Sequence, residues 1–132
     1  MPSGRKHYRL TLTDALSAHE TALTFGGLPG GLNIALVESA LGRPYNGYYS
    51  SIYKKAAALV DSMSKNHGFL DGNKRTTLLL LHILLARSGY LLVSIGRESI
   101  DIAVEDMILD VVNHKMTFDG VVTWFKARIR RP

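Results

Sequence analysis

Nine residues, HGFLDGNKR at 67–75, concentrate the reactive groups of this chain. A histidine, a carboxylate, two glycines, an asparagine, a lysine and an arginine stand just before the apolar run TTLLLLHILLA, 76–86. A helix beginning near Gly72 or Asn73 has several backbone N–H groups without intrahelical acceptors. Its dipole adds partial positive charge at the same end. That is an anion site before any side chain is considered. The glycines let backbone approach a ligand closely. Lys74 adds a point charge and Arg75 a bidentate fork, so the fitting anion is a phosphate chain. Asp71 would repel phosphate unless a cation stood between them, and magnesium is commonly held by one or two carboxylates plus substrate phosphates. His67, on the loop leading in, offers an imidazole suited to take a proton from a hydroxyl near pH 7. Phe69 reads as the anchor that seats the loop in the core. Each residue also has a plainer use: His67 as a loop histidine, Asp71 as an N-cap, Lys74 and Arg75 as solvated charges. Their fixed offsets around one helix start favour the anion site, but on the residues alone both readings stand.

Such a constellation needs elements to hold it. Apolar residues recurring at three and four predict a first helix over 13–24 with Thr13 as cap. FGGLPGG, 25–31, has four glycines and a proline in seven positions and must be a loop or tight hairpin. A short helix over 33–41 ends at Gly42 and Pro44. YNGYY, 45–49, is a turn with aromatic flanks. Helical spacing returns over 50–65 through Ile52, Ala56, Leu59, Val60 and Met63. Residues 73–87 are apolar nearly all round, as in the buried central helix of a domain. Ser88-Gly89 ends that helix, and 90–93 is a short strand or extended link. An amphipathic helix follows over 98–113. The last, 118–129, has Thr117 as cap and Trp124 as its largest anchor. The fold class is therefore all-α: a compact bundle of about six helices around a buried central helix, with a short flap loop or hairpin.

Bulk properties narrow the setting. At 132 residues, one domain spanning 1–132 is expected. The chain has no cysteine, which excludes disulfides and thiolate metal sites and suits a reducing compartment. No secretory signal is visible, and the run from Leu78 to Ala86 falls far short of the roughly 20 residues a membrane helix needs. A cytoplasmic protein without membrane association is expected. The net charge of +5 serves solubility or an anionic partner. KARIRR, 126–131, is basic at a helix end, where it complements the dipole. No zinc-finger or RNA-recognition motif accompanies it, so nucleic acid is not expected as a partner. Tyr45, Tyr48, Tyr49 and Tyr53 read as packing or as a docking surface. His82 shares a helix face with Arg75 and reads as a satisfied core histidine. His19 reads as structural or as lining a pocket rim. His7 and His114 belong to no constellation.

HGFLDGNKR resembles the signature of the Fic/Doc superfamily, H-x-F-x-(D/E)-(G/A)-N-(G/K)-R. Lysine at its eighth position, here Lys74, is the pattern of the Doc, or death-on-curing, toxin branch. AHET at 18–21, the FGGLPGG loop and LVESALGRP at 36–44 are similar to the Doc N-terminal half. The resemblance covers residues 12–90 and implies the Fic/Doc fold. It implies His67 as general base, Asp71 as magnesium ligand, and Gly72, Asn73, Lys74 and Arg75 as the grip on the ATP phosphates. Loop 25–31 resembles the flap that positions a target segment, by strand addition. It further implies transfer of the ATP gamma-phosphate to a Ser/Thr hydroxyl of a protein, a translation component by family habit, and a cognate antitoxin.

Two departures separate this chain from the adenylylating Fic pattern. Gly68 replaces the proline after the histidine. Lys74 replaces a glycine, and Leu78 stands where a second arginine is usual. Three functions follow for testing: a Doc-type phosphotransferase, a nucleotidyl transferase on the same site, and a non-catalytic nucleotide or partner binder. Retention of both His67 and Asp71 counts against the third.

Overall fold

The computed structural model describes residues 7–24, 33–65 and 73–132. Among them are six α-helices: α1 (Leu12–Leu23), α2 (Ile34–Gly42), α3 (Ile52–Lys65), α4 (Asn73–Arg87), α5 (Ile100–Val112) and α6 (Phe118–Arg128). A 3-10 turn, Arg43–Tyr45, links α2 to α3. Two short strands, β1 (Leu91–Leu92) and β2 (Ile129–Arg130), pair antiparallel, Leu91 opposite Arg130 and Leu92 opposite Ile129. The all-α architecture is the one expected. Loop 25–31, the expected flap, lies outside the described residues.

The central helix is α3, not the greasy α4. It packs against α2, the 3-10 turn, α4, α5 and α6. Nine of its residues are buried, including the consecutive Ala56, Ala57, Ala58, Leu59 and Val60. Alanines on several faces let neighbouring helices approach closely, and an alanine run does not look apolar by size. Composition misleads for α4. Leu80, Leu81, Leu84 and Leu85 are buried, but Arg75, His82, Ala86 and Arg87 are exposed, and Leu78, Leu79 and Ile83 are half-buried. One side of α4 faces away from the core. His82 lies on that side, so it is not a core histidine.

Helix α1 starts one residue earlier than its spacing suggests, and its cap is Thr11, not Thr13. Asp14 N donates to Thr11 Oγ1 (3.1 Å) and Thr11 N donates to Asp14 Oδ2 (3.0 Å), a reciprocal capping box. The Tyr8 hydroxyl donates to Asp14 Oδ2 at 2.8 Å, and Arg87 Nη1 donates to that hydroxyl at 3.0 Å. The start of α1 is thereby tied to the end of α4. Ala15, Ala18, His19 and Ala22 form the buried stripe of α1, which packs on α4.

In α6 the buried anchor is Phe125, fully enclosed, rather than Trp124, which is half-buried. Trp124 instead carries the Arg128 guanidinium 4.1 Å above its ring. Arg128 also makes a two-pronged pair with Glu98, Nε to Oε2 at 2.8 Å and Nη2 to Oε1 at 3.0 Å. This pair, helped by the Ile95 N–H, pulls the Glu98 carboxyl down to about 2.

The least expected feature is a charge inside the bundle. Asp61 of α3 is 6% exposed. It pairs with Arg43 of the 3-10 turn and with Lys65 at 3.0 Å. Arg43 also donates to the Tyr49 hydroxyl at 3.2 Å and lies 5.5 Å from the Phe118 ring. Burial pushes the Asp61 carboxyl up, but the hydrogen bonds and charges of Arg43 and Lys65 outweigh it and hold the pKa below the ordinary carboxylate value. A group depressed on folding contributes stability above its unfolded pKa, and that contribution is lost as pH falls through the folded value. Asp61→Asn should therefore cost about 1–3 kcal/mol at neutral pH, less than a fully buried pair because Arg43 keeps partial solvent access. It should also flatten the loss of stability between pH 5 and pH 3, roughly the carboxylate range. Urea midpoints across that range check both. An unchanged midpoint at pH 7 would show the pair to be incidental.

Helix α5 ends in a Schellman turn: His114 N donates to Val111 O (3.1 Å) and Lys115 N to Asp110 O (2.7 Å). His114 sits at φ 57, the one non-glycine with positive φ among the described residues. A side chain there is strained and glycine is not. His114→Gly should raise stability by about 0.5–1 kcal/mol, seen as a higher urea midpoint; a lower one would mean the imidazole makes a contact worth more than the strain.

Candidate functional site

The expected anion site is built on the start of α4. That helix begins at Asn73, as its sequence suggests, and runs 15 residues. Its first turn contains no acidic residue. Lys74 is half-exposed and Arg75 exposed. Two cations beside the positive end of a helix dipole are unfavourable, by about 0.3–1 kcal/mol each. Thr76 and Thr77, which follow, are buried at 0% and 1% exposure and fix the rotation of the first turn, so that Lys74 and Arg75 face outward.

One partner of this site has no signal in the sequence. Glu105 of α5 meets Lys74, Oε1 to Nζ 3.5 Å. Both side chains are well exposed, at 39% and 47%. The pair is long and screened by water, so it is worth little, roughly 0–1 kcal/mol. Only folding brings residue 105 to residue 74, since α4 and α5 pack together.

The expected base His67, the expected metal ligand Asp71, and Phe69 and Gly72 lie outside the described residues. Among the described residues no cluster of three or more His, Asp or Glu could hold a metal ion, so a metal assignment rests on Asp71 and the sequence. His82 shares the exposed side of α4 with Arg75.

The tyrosine cluster proves mainly architectural. The Tyr45 hydroxyl donates to Tyr8 O (2.7 Å) and accepts from Leu10 N (3.0 Å). Tyr49 packs 5.5 Å from Phe118. Tyr48 is 83% exposed. No helix among the described residues is long and apolar enough to cross a membrane.

Comparison with known proteins agrees with the reading of the motif. The family model for the Fic/DOC family matches residues 9–85. That span runs from the capping segment of α1 nearly to the end of α4 and includes HGFLDGNKR. The chain is also 30% identical over 113 residues to Toxin Doc of Mycolicibacterium smegmatis, covering 82% of this chain and 83% of that protein. The family match and this relative, together with the helical architecture, make the chain a member of the Fic/Doc family.

Proposed function

We propose that this protein is a Doc-type toxin that transfers the gamma-phosphate of ATP to a Ser/Thr hydroxyl of a protein target, in the cytoplasm, under control of a cognate antitoxin. The observation that carries the reading is the first turn of α4: Lys74 and Arg75 at a helix start without an acid. The similarity to a Doc toxin supports it. So does the residue pattern: Lys74 where the adenylylating pattern has glycine, and Leu78 where it has a second arginine. A translation component is the expected target class by family resemblance.

In this reading His67 takes the proton from the target hydroxyl as that oxygen bonds to the gamma-phosphorus. The bond from the gamma-phosphorus to the bridging oxygen breaks, and ADP leaves. Lys74, Arg75 and the N–H groups at the helix start counter the charge spread over the phosphoryl oxygens. Asp71 would hold magnesium, which supplies charge neutralisation and orientation of the phosphates.

The deciding experiment incubates the protein and a cell extract with ATP labelled on either the alpha or the gamma phosphate. Gamma label on protein supports the proposal. Alpha label would assign nucleotidyl transfer. Neither label, with nucleotide still bound, would leave a binding domain. Asp71→Ala adds a check on the metal: its nucleotide affinity should lose the magnesium dependence of the parent. A parent whose affinity ignores magnesium would return Asp71 to a helix cap.

A further inference from the structure

His7 and the basic C-terminal residues Arg130 and Arg131, far apart in sequence, meet at one end of the bundle. A cleft of about 560 Å³ lies there, lined by His7, Ser50, Ser51, Tyr53, Tyr90, Arg130 and Arg131 among others. It stands beyond the C-terminal end of α4. Fifteen residues at about 1.5 Å each separate it from the start of that helix by roughly 20 Å, so it is not the site described above.

Its chemistry is one-sided. No carboxylate lines it among the described residues. Arg130 is pinned: its guanidinium donates to Lys126 O (3.1 Å), Ala127 O (2.9 Å) and Ile129 O (2.8 Å). Its charge is thus fixed at the wall. Arg131 is exposed and lies 5.9 Å from the Tyr90 ring. Behind the wall Lys55 Nζ sits 2.7 Å from His7 Nδ1, and burial lowers the Lys55 pKa. The start of α3 adds its N–H groups, with Ser51 Oγ accepting from Lys54 N (3.2 Å) and no acid in the first turn. The cleft also has flat faces. The His7 and Tyr90 rings meet edge to face at 6.0 Å, and Tyr53 is half-buried beside them.

We infer that this cleft binds a segment of single-stranded nucleic acid, its phosphates held by Arg130 and Arg131 and a base resting against Tyr90. Cations that follow a backbone, interleaved with aromatic rings, are the chemistry of sequence-tolerant strand binding. An acidic peptide would use the cations but leave the rings and the hydroxyls without a role. The sequence shows no such site because His7, Tyr90 and the Arg130–Arg131 pair come to one cleft only on folding. The inference is independent of the activity proposed for α4.

The test is fluorescence anisotropy of a labelled oligouridylate of about ten nucleotides, without ATP or magnesium, from about 50 to 200 mM salt. The wild type should bind, with affinity falling steeply as salt rises. Arg131→Ala should weaken binding roughly threefold and reduce the salt slope by about 0.7, one phosphate contact. Arg131→Glu, at an exposed position that leaves the fold intact, should cost at least about tenfold. Tyr90→Leu should weaken binding about fivefold or more with the slope unchanged. Lys74→Ala should bind as the wild type does. The inference is overturned by no binding at the lowest salt, by full binding of Arg131→Glu, by loss of binding in Lys74→Ala, or by polyglutamate competing as well as unlabelled oligouridylate.

Discussion

Purified His67→Ala protein should keep its fold and, if the proposed transfer holds, transfer label roughly 10²- to 10⁴-fold more slowly than the parent, the usual worth of a positioned general base. The reason is that no other histidine is available to take the proton. None lies elsewhere in 67–75. His7 is engaged by Lys55 in the far cleft, His114 closes α5, and His19 is buried in the stripe of α1. His82 is on the exposed side of α4 but two turns along the helix from Arg75. A base must be neutral to act, so the parent rate should fall on the acid side. The variant should lose that acid limb along with the rate. Circular dichroism and a urea midpoint matching the parent separate lost chemistry from lost structure. A well-folded His67→Ala protein with near-parental activity would remove His67 from the role of base.

What could be read before folding was whatever depends on local spacing. The start of α4 at Asn73 and its end at Ser88-Gly89 follow from a polar-to-apolar boundary and a glycine that adopts φ 82. The cap Thr117 is where its residue type suggests, with Gly120 N donating to its hydroxyl at 3.0 Å. The misplaced cap of α1 was equally legible: Thr11 and Asp14 have the capping-box spacing. Features that depend on tertiary contact were not legible. Hydrophobic size pointed to α4 as the centre, because the alanines of α3 count for little until helices crowd around them. Nothing local marks Asp61 as buried, since its partner Arg43 is 18 residues away. Glu105 beside Lys74 is likewise a product of packing. The strand β2 is hidden in KARIRR, which continues the helical pattern until Ile129 turns extended to pair with Leu92.

Lys74 divides the two enzyme reactions open to this site. Its ammonium leaves the first turn of α4, where the backbone already favours an anion, and among the described residues it pairs with the exposed Glu105 carboxylate at 3.5 Å. That bridge is weak enough for a phosphate to displace. A phosphoryl group in transfer spreads negative charge over its oxygens, and a lysine already positioned there stabilises it. Lys74→Ala should therefore slow gamma-phosphate transfer by more than about tenfold, at least ~1.4 kcal/mol of transition-state stabilisation. A glycine would instead let the phosphate chain approach the helix backbone, as in the adenylylating pattern. That pattern also needs a second arginine at position 78. Leu78 is half-buried against the core, and an arginine there can lay its aliphatic stem along the same surface while its head reaches outward. The double variant Lys74→Gly with Leu78→Arg should then shift residual activity toward AMP transfer. Mass spectrometry of the modified target reads the outcome directly, because a phosphate and an AMP add different masses. A parent that adds AMP, or a Lys74→Ala protein that phosphorylates at the parental rate, would sink the phosphotransfer reading, whatever the behaviour of the double variant.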